Sequence, residues 1–201
     1  NLIPRCYDVT SGEVLVDGVN VRYRKLHDLR KNIGVAMQDV LLWSDTIEGN
    51  IAFYDSDMSL DEVKKYAKLA DADEFASKLS EGYDTIVGER GVGLSGGQKQ
   101  RISLARALAM QPAILILDDT TSAVDTETER QIQHNLKNLD FNCTKLIIAQ
   151  RTSSAKNADR IMIIKDGKVA QFGTHDELMQ DKNGYYYEIY TLQNGDEKEA
   201  V

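Results

Sequence analysis

Short apolar runs of strand length alternate along this chain with longer stretches of helical character. The best strand candidates are residues 33–37, 113–117, 145–149 and 160–164. Parallel strands need crossover connections of a dozen or more residues, usually helices, and strands buried on both faces have nearly continuous apolar sequences. The alternation therefore predicts an α/β fold with a mainly parallel sheet.

Two Asp-Gly pairs lie between β-prone residues, Asp17-Gly18 and Asp166-Gly167. A two-residue hairpin turn needs positive φ at its central positions, and Asp-Gly adopts this conformation readily. We expect an antiparallel β-hairpin at each pair, with a structural rather than a catalytic role.

Capping signals mark the helix starts. Ser59 with Glu62, and Thr174 with Glu177, have the spacing of a capping box, in which each side chain satisfies a free N–H group of the other residue. Residues 55–80 are polar and rich in helix signals, so we expect a helical subdomain inserted into an α/β core. We place the core at 1–38 and 111–193, the helical subdomain at 39–110 and a frayed tail at 194–201.

Composition limits the class of protein. The 201 residues include 24 Lys and Arg against 32 Asp and Glu, giving a net charge of −8, and 42% are apolar. These values suit one folded soluble domain and argue against nonspecific nucleic-acid binding. No apolar run is long enough to span a membrane, and residues 1–5 lack the charged start and apolar stretch of a leader sequence, so we expect neither feature. Cys6 and Cys143 fit no metal spacing, and we expect both to be buried thiols.

Polar residues follow three of the predicted strands. Gln38 follows the first, Asp118 and Asp119 follow the second, and Gln150 follows the third. Ligands of open parallel sheets bind at the carboxyl ends of the strands, so these residues predict one shared site. Taken singly, each could instead cap the next turn, and for an isolated Gln we favour that alternative.

A glycine-rich segment at 88–101 predicts a phosphate-binding helix start. Ser95 and Gln98 have capping-box spacing, and Gly96 with Gly97 leaves the first turn without side chains. Free N–H groups and the positive end of the helix dipole attract anions there. The helix is expected to end near Pro112, just before the strand that leads to Asp118.

The order of these motifs resembles the nucleotide-binding domain of ABC transporters, of the exporter type. Residues 113–118 resemble its Walker B strand, 122–125 its D-loop, Gln38 its Q-loop glutamine and 85–91 its X-loop. The ABC signature motif is matched by Leu94, Ser95, Gly96, Gly97 and Gln98. The resemblance implies a P-loop NTPase (RecA-like) core, with ATP and Mg²⁺ as ligands.

One departure from the family pattern is the absence from the sequence of a Gly-x-x-x-x-Gly-Lys-Ser/Thr phosphate loop, the Walker A motif. Gly167-Lys168 is followed by Val169 in a predicted hairpin and does not qualify. We expect the chain to be N-terminally truncated, starting just downstream of this loop, and to bind ATP poorly in its own site in this form.

Two further departures fall at the ATP site. Asp119 stands where the family has a catalytic glutamate, and Gln150 stands where it has the switch histidine. Aspartate is one methylene shorter, and glutamine cannot carry a positive charge. A positioned general base contributes about 10² to 10⁴ in rate, so we expect a degenerate, slowly hydrolysing site.

In the family, two such domains pair head to tail, and each ATP lies between one Walker site and the other signature motif. The resemblance therefore implies a subunit of a heterodimeric exporter whose intact signature motif completes the partner's site. Asp118 would hold Mg²⁺, Gln38 would contact the metal and the γ-phosphate, and Ser95 with Gly97 would bind the partner's γ-phosphate. Asp125 would communicate across the interface.

Contacts with the membrane domain are also implied. Its coupling helices are expected near 38–47 and near Glu89, at the cytoplasmic face of the cell membrane. Trp43 could anchor a coupling helix or could belong to the core, and we leave both open. Two alternatives to the degenerate exporter remain. One is a competent homodimeric ABC ATPase, and the other is a soluble ABC protein acting on nucleic acid, against which the X-loop resemblance and the acidic balance speak.

Overall fold

A computed structural model describes residues 1–88 and 93–195, which divide between Ile148 and Ala149 into two compact units. The helices of the first unit are α1 (Leu26–Arg30), α2 (Ile47–Ile51), α3 (Leu60–Leu69), α4 (Asp73–Lys78), α5 (Gly96–Ala109) and α6 (Thr126–Lys137). Its strands are β1 (Leu15–Val16), β2 (Val19–Asn20), β3 (Ile33–Ala36), β4 (Asp45–Thr46), β5 (Ile86–Val87), β6 (Ile114–Asp118) and β7 (Thr144–Ile148). Short 3₁₀ helices lie at Val21–Tyr23 and Gly82–Asp84.

The predicted parallel sheet is present in the first unit. Strand β6 lies between β3 and β7, and both pairings are parallel. Ile33 is opposite Ile114, and Asp118 is opposite Ile148. Each strand begins and ends within about one residue of its predicted bounds. The α/β prediction is confirmed.

Both Asp-Gly hairpins form. Asp17 and Gly18 have φ of 51° and 72°, as a two-residue turn between β1 and β2 requires. Asp166 and Gly167 have φ of 50° and 73° and join two strands of the second unit, Ile161–Lys165 and Lys168–Gly173.

The capping boxes also form as predicted, with both reciprocal hydrogen bonds present at Ser59, Ser95 and Thr174. The helix after Ser59 buries Val63, Tyr66 and Ala67 on one face. A two-residue ribbon was not predicted: β4 pairs with β5 antiparallel inside the segment expected to be helical. Strands this short carry no readable alternation in sequence.

The main core of the first unit packs α2, α3 and α5 against the sheet. Ile47, Ile51, Val63, Ile102 and Leu108 are fully buried in it. A smaller cluster, around Val21, Leu29 and Ile33, lies against the other face of the strands. Cys6 is exposed, so the prediction of a buried thiol is wrong there, because its N–H closes a turn onto Asn1 before the first strand. Cys143 is partly buried, and burial raises the pKa of its thiol.

The second unit contains an antiparallel hairpin and three helices. Its strands are β8 (Ile161–Lys165) and β9 (Lys168–Gly173), and its helices are α7 (Thr152–Ala155), α8 (His175–Gln180) and α9 (Tyr185–Gly195). Ile161, Leu178 and Tyr186 form its core. The last helix contains Asn194 and Gly195, so these two residues are helical rather than part of the predicted tail. A helical residue at this position can bond inward, and the Asn194 amide donates to Tyr190 O and to Thr152 Oγ1.

The predicted helical subdomain at 39–110 lies wholly within the first unit, and its separation from the 1–38 and 111–193 core stays a prediction. Among the residues described, no helix combines the length and apolar character that crossing a membrane demands.

Candidate functional site

The carboxyl ends of β3 and β6 bring Gln38 and Asp119 together. Gln38 Nε2 donates a hydrogen bond of 3.3 Å to Asp119 Oδ2. The two residues come from neighbouring parallel strands and are 81 positions apart in sequence. The polar residues that follow these two strands therefore share one edge of the sheet.

Asp119 has an unusual backbone that its sequence context does not reveal. Its φ is 49°, in the left-handed region, which non-glycine residues seldom adopt and which Asp tolerates better than most. Its N–H donates to Ile148 O at 3.1 Å, and its carbonyl accepts from Ser122 Oγ at 2.9 Å. The turn after the strand is thus fixed on both sides, which sets where the Asp119 carboxylate can lie.

Gln150 lies just after β7, at the start of the second unit, and is exposed. Its carbonyl accepts from Gln193 Nε2 at 3.0 Å, and Gln193 Oε1 accepts from Thr152 N at 2.7 Å and from Thr152 Oγ1 at 2.9 Å. Helix α9 thereby holds the backbone around Gln150. Sequence reasoning did not single out Gln193, because a long-range amide contact leaves no local pattern.

The glycine-rich segment builds an exposed helix N-terminus. Ser95 Oγ accepts from Gln98 N at 3.2 Å, and Ser95 N donates to Gln98 Oε1 at 2.9 Å. Leu94 is buried, whereas Ser95 and Gly96 are exposed and Gly97 is buried. The buried leucine anchors the turn, so the start of α5 can face another molecule with free N–H groups.

Asp125 caps α6. Its Oδ1 accepts from Glu127 N and Thr128 N, and its Oδ2 accepts from Thr128 Oγ1 at 2.9 Å. Hydrogen bonds from the Thr128 N–H and then from its hydroxyl lower the pKa of the Asp125 carboxyl. At neutral pH Asp125 is therefore an anion. It lies at the end of the segment 119–125, directly before α6.

An exposed group of aromatic side chains lies beyond Gln38. Trp43 stacks on Phe53 with ring centroids 5.4 Å apart and planes at 9°, and Tyr54 meets Phe53 edge-on. The three side chains are 46%, 48% and 62% exposed. Of the two alternatives for Trp43, membership of the buried core is wrong, and the role of anchor stays a proposal. Glu89 lies outside the described residues.

A buried amide supports this aromatic group. Asn50 is fully buried, accepts from Trp43 N at 3.0 Å and donates to Trp43 O at 3.1 Å. Arg106 of α5 donates to Asn50 O at 2.7 Å, to Asn50 Oδ1 at 2.6 Å and to Leu41 O at 3.0 Å. Burial lowers the pKa of the Arg106 guanidinium. Neither Asn50 nor Arg106 was singled out from the sequence.

The residues present suit a hard divalent cation. Asp118, Asp119 and Gln38 offer carboxylate and amide oxygens at one strand edge. Among residues 1–88 and 93–195, no group of three or more His, Cys, Asp and Glu could hold a metal ion. Mg²⁺ is commonly held by one or two carboxylates together with waters and substrate phosphates, so this donor set fits it.

Comparisons with known proteins agree on one family. A protein-family model with the description ABC transporter matches residues 1–122. The chain is 47% identical over 194 residues to the putative multidrug export ATP-binding/permease protein YgaD of Bacillus subtilis (strain 168), covering 96% of the chain and 33% of that protein. It is 44% identical over 198 residues to the ATP-dependent lipid A-core flippase of Syntrophus aciditrophicus (strain SB), covering 98% of the chain and 33% of that protein.

A solved structure of a bacterial Atm1-family ABC exporter with ATP bound superimposes with a TM-score of 0.91 at 38% identity. The alignment covers 96% of this chain and 34% of that one. The chain thus spans about a third of the length of each of these relatives.

Proposed function

Because this chain belongs to the ABC transporter family, we propose that it is the ATP-binding domain of an exporter that couples ATP binding and hydrolysis to transport. The observation that carries the proposal is the pairing of Gln38 with Asp119 in a unit that also presents the exposed Ser95 helix start. The strand ends that carry Gln38 and Asp119 suit a nucleotide with its metal ion. The helix start at Ser95 suits a phosphate group.

Each side chain of the site has a role that its chemistry allows. Mg²⁺ supplies charge neutralisation of the phosphates, and Asp118 with Gln38 would hold it. Asp119 would accept a proton from the attacking water, and the Gln150 amide would donate to a γ-phosphate oxygen. In a head-to-tail dimer, Ser95 and the N–H groups of Gly96 and Gly97 would bind the partner's γ-phosphate.

We propose further that the chain's own site hydrolyses ATP slowly and that its partner is a second, different ATP-binding domain. Asp119 is shorter than glutamate, and its left-handed backbone is held at both the N–H and the carbonyl, so the carboxylate cannot move forward to compensate. Phosphoryl transfer depends mainly on the positioning of the reacting groups, so the shorter Asp119 side chain should lower the rate of hydrolysis.

The exposed group Trp43, Phe53 and Tyr54 supports docking of a coupling helix from the membrane domain at the cytoplasmic face. Aromatic side chains supply apolar area with little loss of conformational freedom, as interface anchors do. Asn50 and Arg106 fix the backbone beneath Trp43 and would transmit a push on the aromatic group to α5.

The test is ATP turnover by the complete transporter with Asp119→Glu and Gln150→His introduced together. We expect turnover at this chain's own site, measured with the partner's site inactivated, to rise about tenfold or more, since a correctly placed base is worth about 10² to 10⁴. Asp119→Asn is the matched control, because asparagine also adopts the left-handed backbone conformation but cannot act as the base. Unchanged turnover in the double variant would favour the competent homodimeric ATPase instead.

A further inference from the structure

Gln100 joins the helix that begins at the signature motif to the segment that follows Asp119. It lies in α5, one turn beyond Ser95, and is only 5% exposed. Its Nε2 donates to Ser122 Oγ at 3.2 Å, and its Oε1 accepts from Ala123 N at 3.2 Å. We call residues 119–125 the D-segment. The buried Gln100 amide thus donates to one residue of the D-segment, Ser122, and accepts from the next, Ala123.

The connection continues to Asp119 through Ser122, whose backbone N–H also donates to Asp119 O, at 3.4 Å. Ser122 Oγ donates to Asp119 O at 2.9 Å while it accepts from Gln100. A serine hydroxyl has one proton, so the amide donor of Gln100 leaves that proton free for the Asp119 carbonyl. Gln100, Ser122 and Asp119 therefore form a directed chain of hydrogen bonds.

Steric contact reinforces this chain. A Cβ placed on Gly97 would lie 2.7 Å from Ala123 O, so the first turn of α5 touches the D-segment backbone. On the other side, Thr121 Oγ1 donates to the buried carboxylate of Glu129 in α6 at 3.3 Å. The D-segment is held between two helices, with contacts to α5 on one side and to α6 on the other.

We propose that Gln100 is a positioning residue that transmits the placement of the signature helix to Asp119 within the same chain. The inference rests on the proposed function. In a head-to-tail dimer the helix start serves the partner's ATP and Asp119 serves the chain's own, so Gln100 links two nucleotide sites. Closure of the partner's site on Ser95 would then adjust the backbone that carries Asp119.

Two substitutions at Gln100 separate positioning from packing. Gln100→Met keeps the side-chain length and removes both hydrogen bonds. Gln100→Glu keeps an acceptor for Ala123 N but no longer donates to Ser122, whose proton then turns to the new carboxylate and leaves Asp119 O. Gln111→Met is the matched control, since Gln111 lies just past the other end of α5 and its side-chain amide donates to Tyr66 Oη of α3 at 2.6 Å.

The measurement is steady-state ATP hydrolysis at this chain's own site, in the complete transporter with the partner's site inactivated. We expect both Gln100 variants to lower kcat about tenfold while the KM for ATP changes less than about twofold, because misplacement affects the transition state more than binding. Gln111→Met should leave both constants unchanged. A packing role would lower the thermal midpoint without this split between kcat and KM.

Ser122→Ala supplies a second route, because its side chain is exposed and its loss does not threaten folding. It should lower kcat as Gln100→Met does, and the double variant should be no slower than either single one. The inference would be overturned if the two reductions in kcat multiplied in the double variant, or if folded Gln100→Met had an unchanged kcat. In either case the ATPase activity itself would remain. A transporter that hydrolyses no ATP even with Asp119→Glu and Gln150→His would instead contradict the proposed function. If Gln100→Met does not fold, Gln100→Glu and Ser122→Ala decide.

Discussion

The Gln38 side-chain amide donates to the Asp119 carboxylate at 3.3 Å, across the ends of two adjacent parallel strands. Gln38→Glu would set two carboxylates against each other. We expect a loss of unfolding free energy of under about 1 kcal/mol at pH 7, since the pair is solvent-accessible. Urea unfolding at pH 7 measures the loss.

The matched control is Gln111→Glu, where Tyr66 Oη can donate to the new carboxylate in place of accepting from the amide. Equal losses at both positions would show that Gln38 and Asp119 do not interact in solution.

Ser59 and Ser95 begin different helices with the same capping box. Comparing the two serines therefore distinguishes an effect on stability from an effect on ATP turnover. Replacing either serine with Ala should cost about 1 kcal/mol of unfolding free energy, because an orphan N–H loses its acceptor. Only Ser95→Ala should also reduce ATP turnover by the complete transporter, by about tenfold, because only this helix start is proposed to contact phosphate. Equal turnover in the two variants would count against the phosphate role.

Gly96 and Gly97 differ in the room available for a side chain. A Cβ on Gly96 would meet the Ala123 Cβ at 3.5 Å, an ordinary contact, whereas one on Gly97 would lie 2.7 Å from a backbone oxygen. Gly96→Ala should raise the unfolding free energy by about 0.5–1 kcal/mol through helix propensity. Gly97→Ala should lower it by about 1–3 kcal/mol, because the D-segment must shift. A stabilised Gly97→Ala, measured by urea unfolding, would contradict the close approach.

Asp125 makes the start of α6 sensitive to pH. Hydrogen bonds from Thr128 lower the pKa of the folded carboxyl, so its contribution is complete above the unfolded pKa of about 3.9 and is lost as the pH falls through the lower folded value. Asp125→Asn keeps a cap acceptor but cannot titrate. The thermal midpoint of the wild type should exceed that of the variant at pH 7, and the difference should narrow below about pH 4. A constant difference between pH 7 and 3 would refute this.

Asn50, which is fully buried, and Arg106, which is partly buried, form a hydrogen-bonded pair whose loss should lower stability. Asn50→Ala removes Oδ1, which accepts from Trp43 N and from Arg106, and should lower the unfolding free energy by about 2–4 kcal/mol. Arg106→Met should cost a similar amount, and the double variant less than the sum, because both remove one network. Arg130→Met, on an exposed face of α6, is the control and should change stability by less than about 0.5 kcal/mol.

Local signals predicted much of the fold. The apolar run before Asp118, the Asp17-Gly18 turn and the Ser95 capping box each depend on neighbours within a few residues, and each formed where expected. The sequence order of strand ends also predicted that Gln38 and Asp119 would share an edge.

Long-range contacts could not be predicted in this way. Gln100 bonds to residues more than twenty positions away, and Arg106 bonds to Asn50, 56 positions away. Nothing local distinguishes these side chains from exposed polar residues of a helix. The left-handed φ of Asp119 was missed for a related reason, since it is fixed by Ile148 and Ser122 once the sheet has formed.

The register that places β3 beside β6 also has a consequence for how the chain folds. The strands cannot pair until the helices between them have been brought into one closed loop, because 81 positions separate Gln38 from Asp119. Closing a loop of that length costs chain entropy before any contact repays it, so refolding should be slow, on a timescale of about milliseconds to seconds. The two strand ends that carry the site would then be among the last elements to meet.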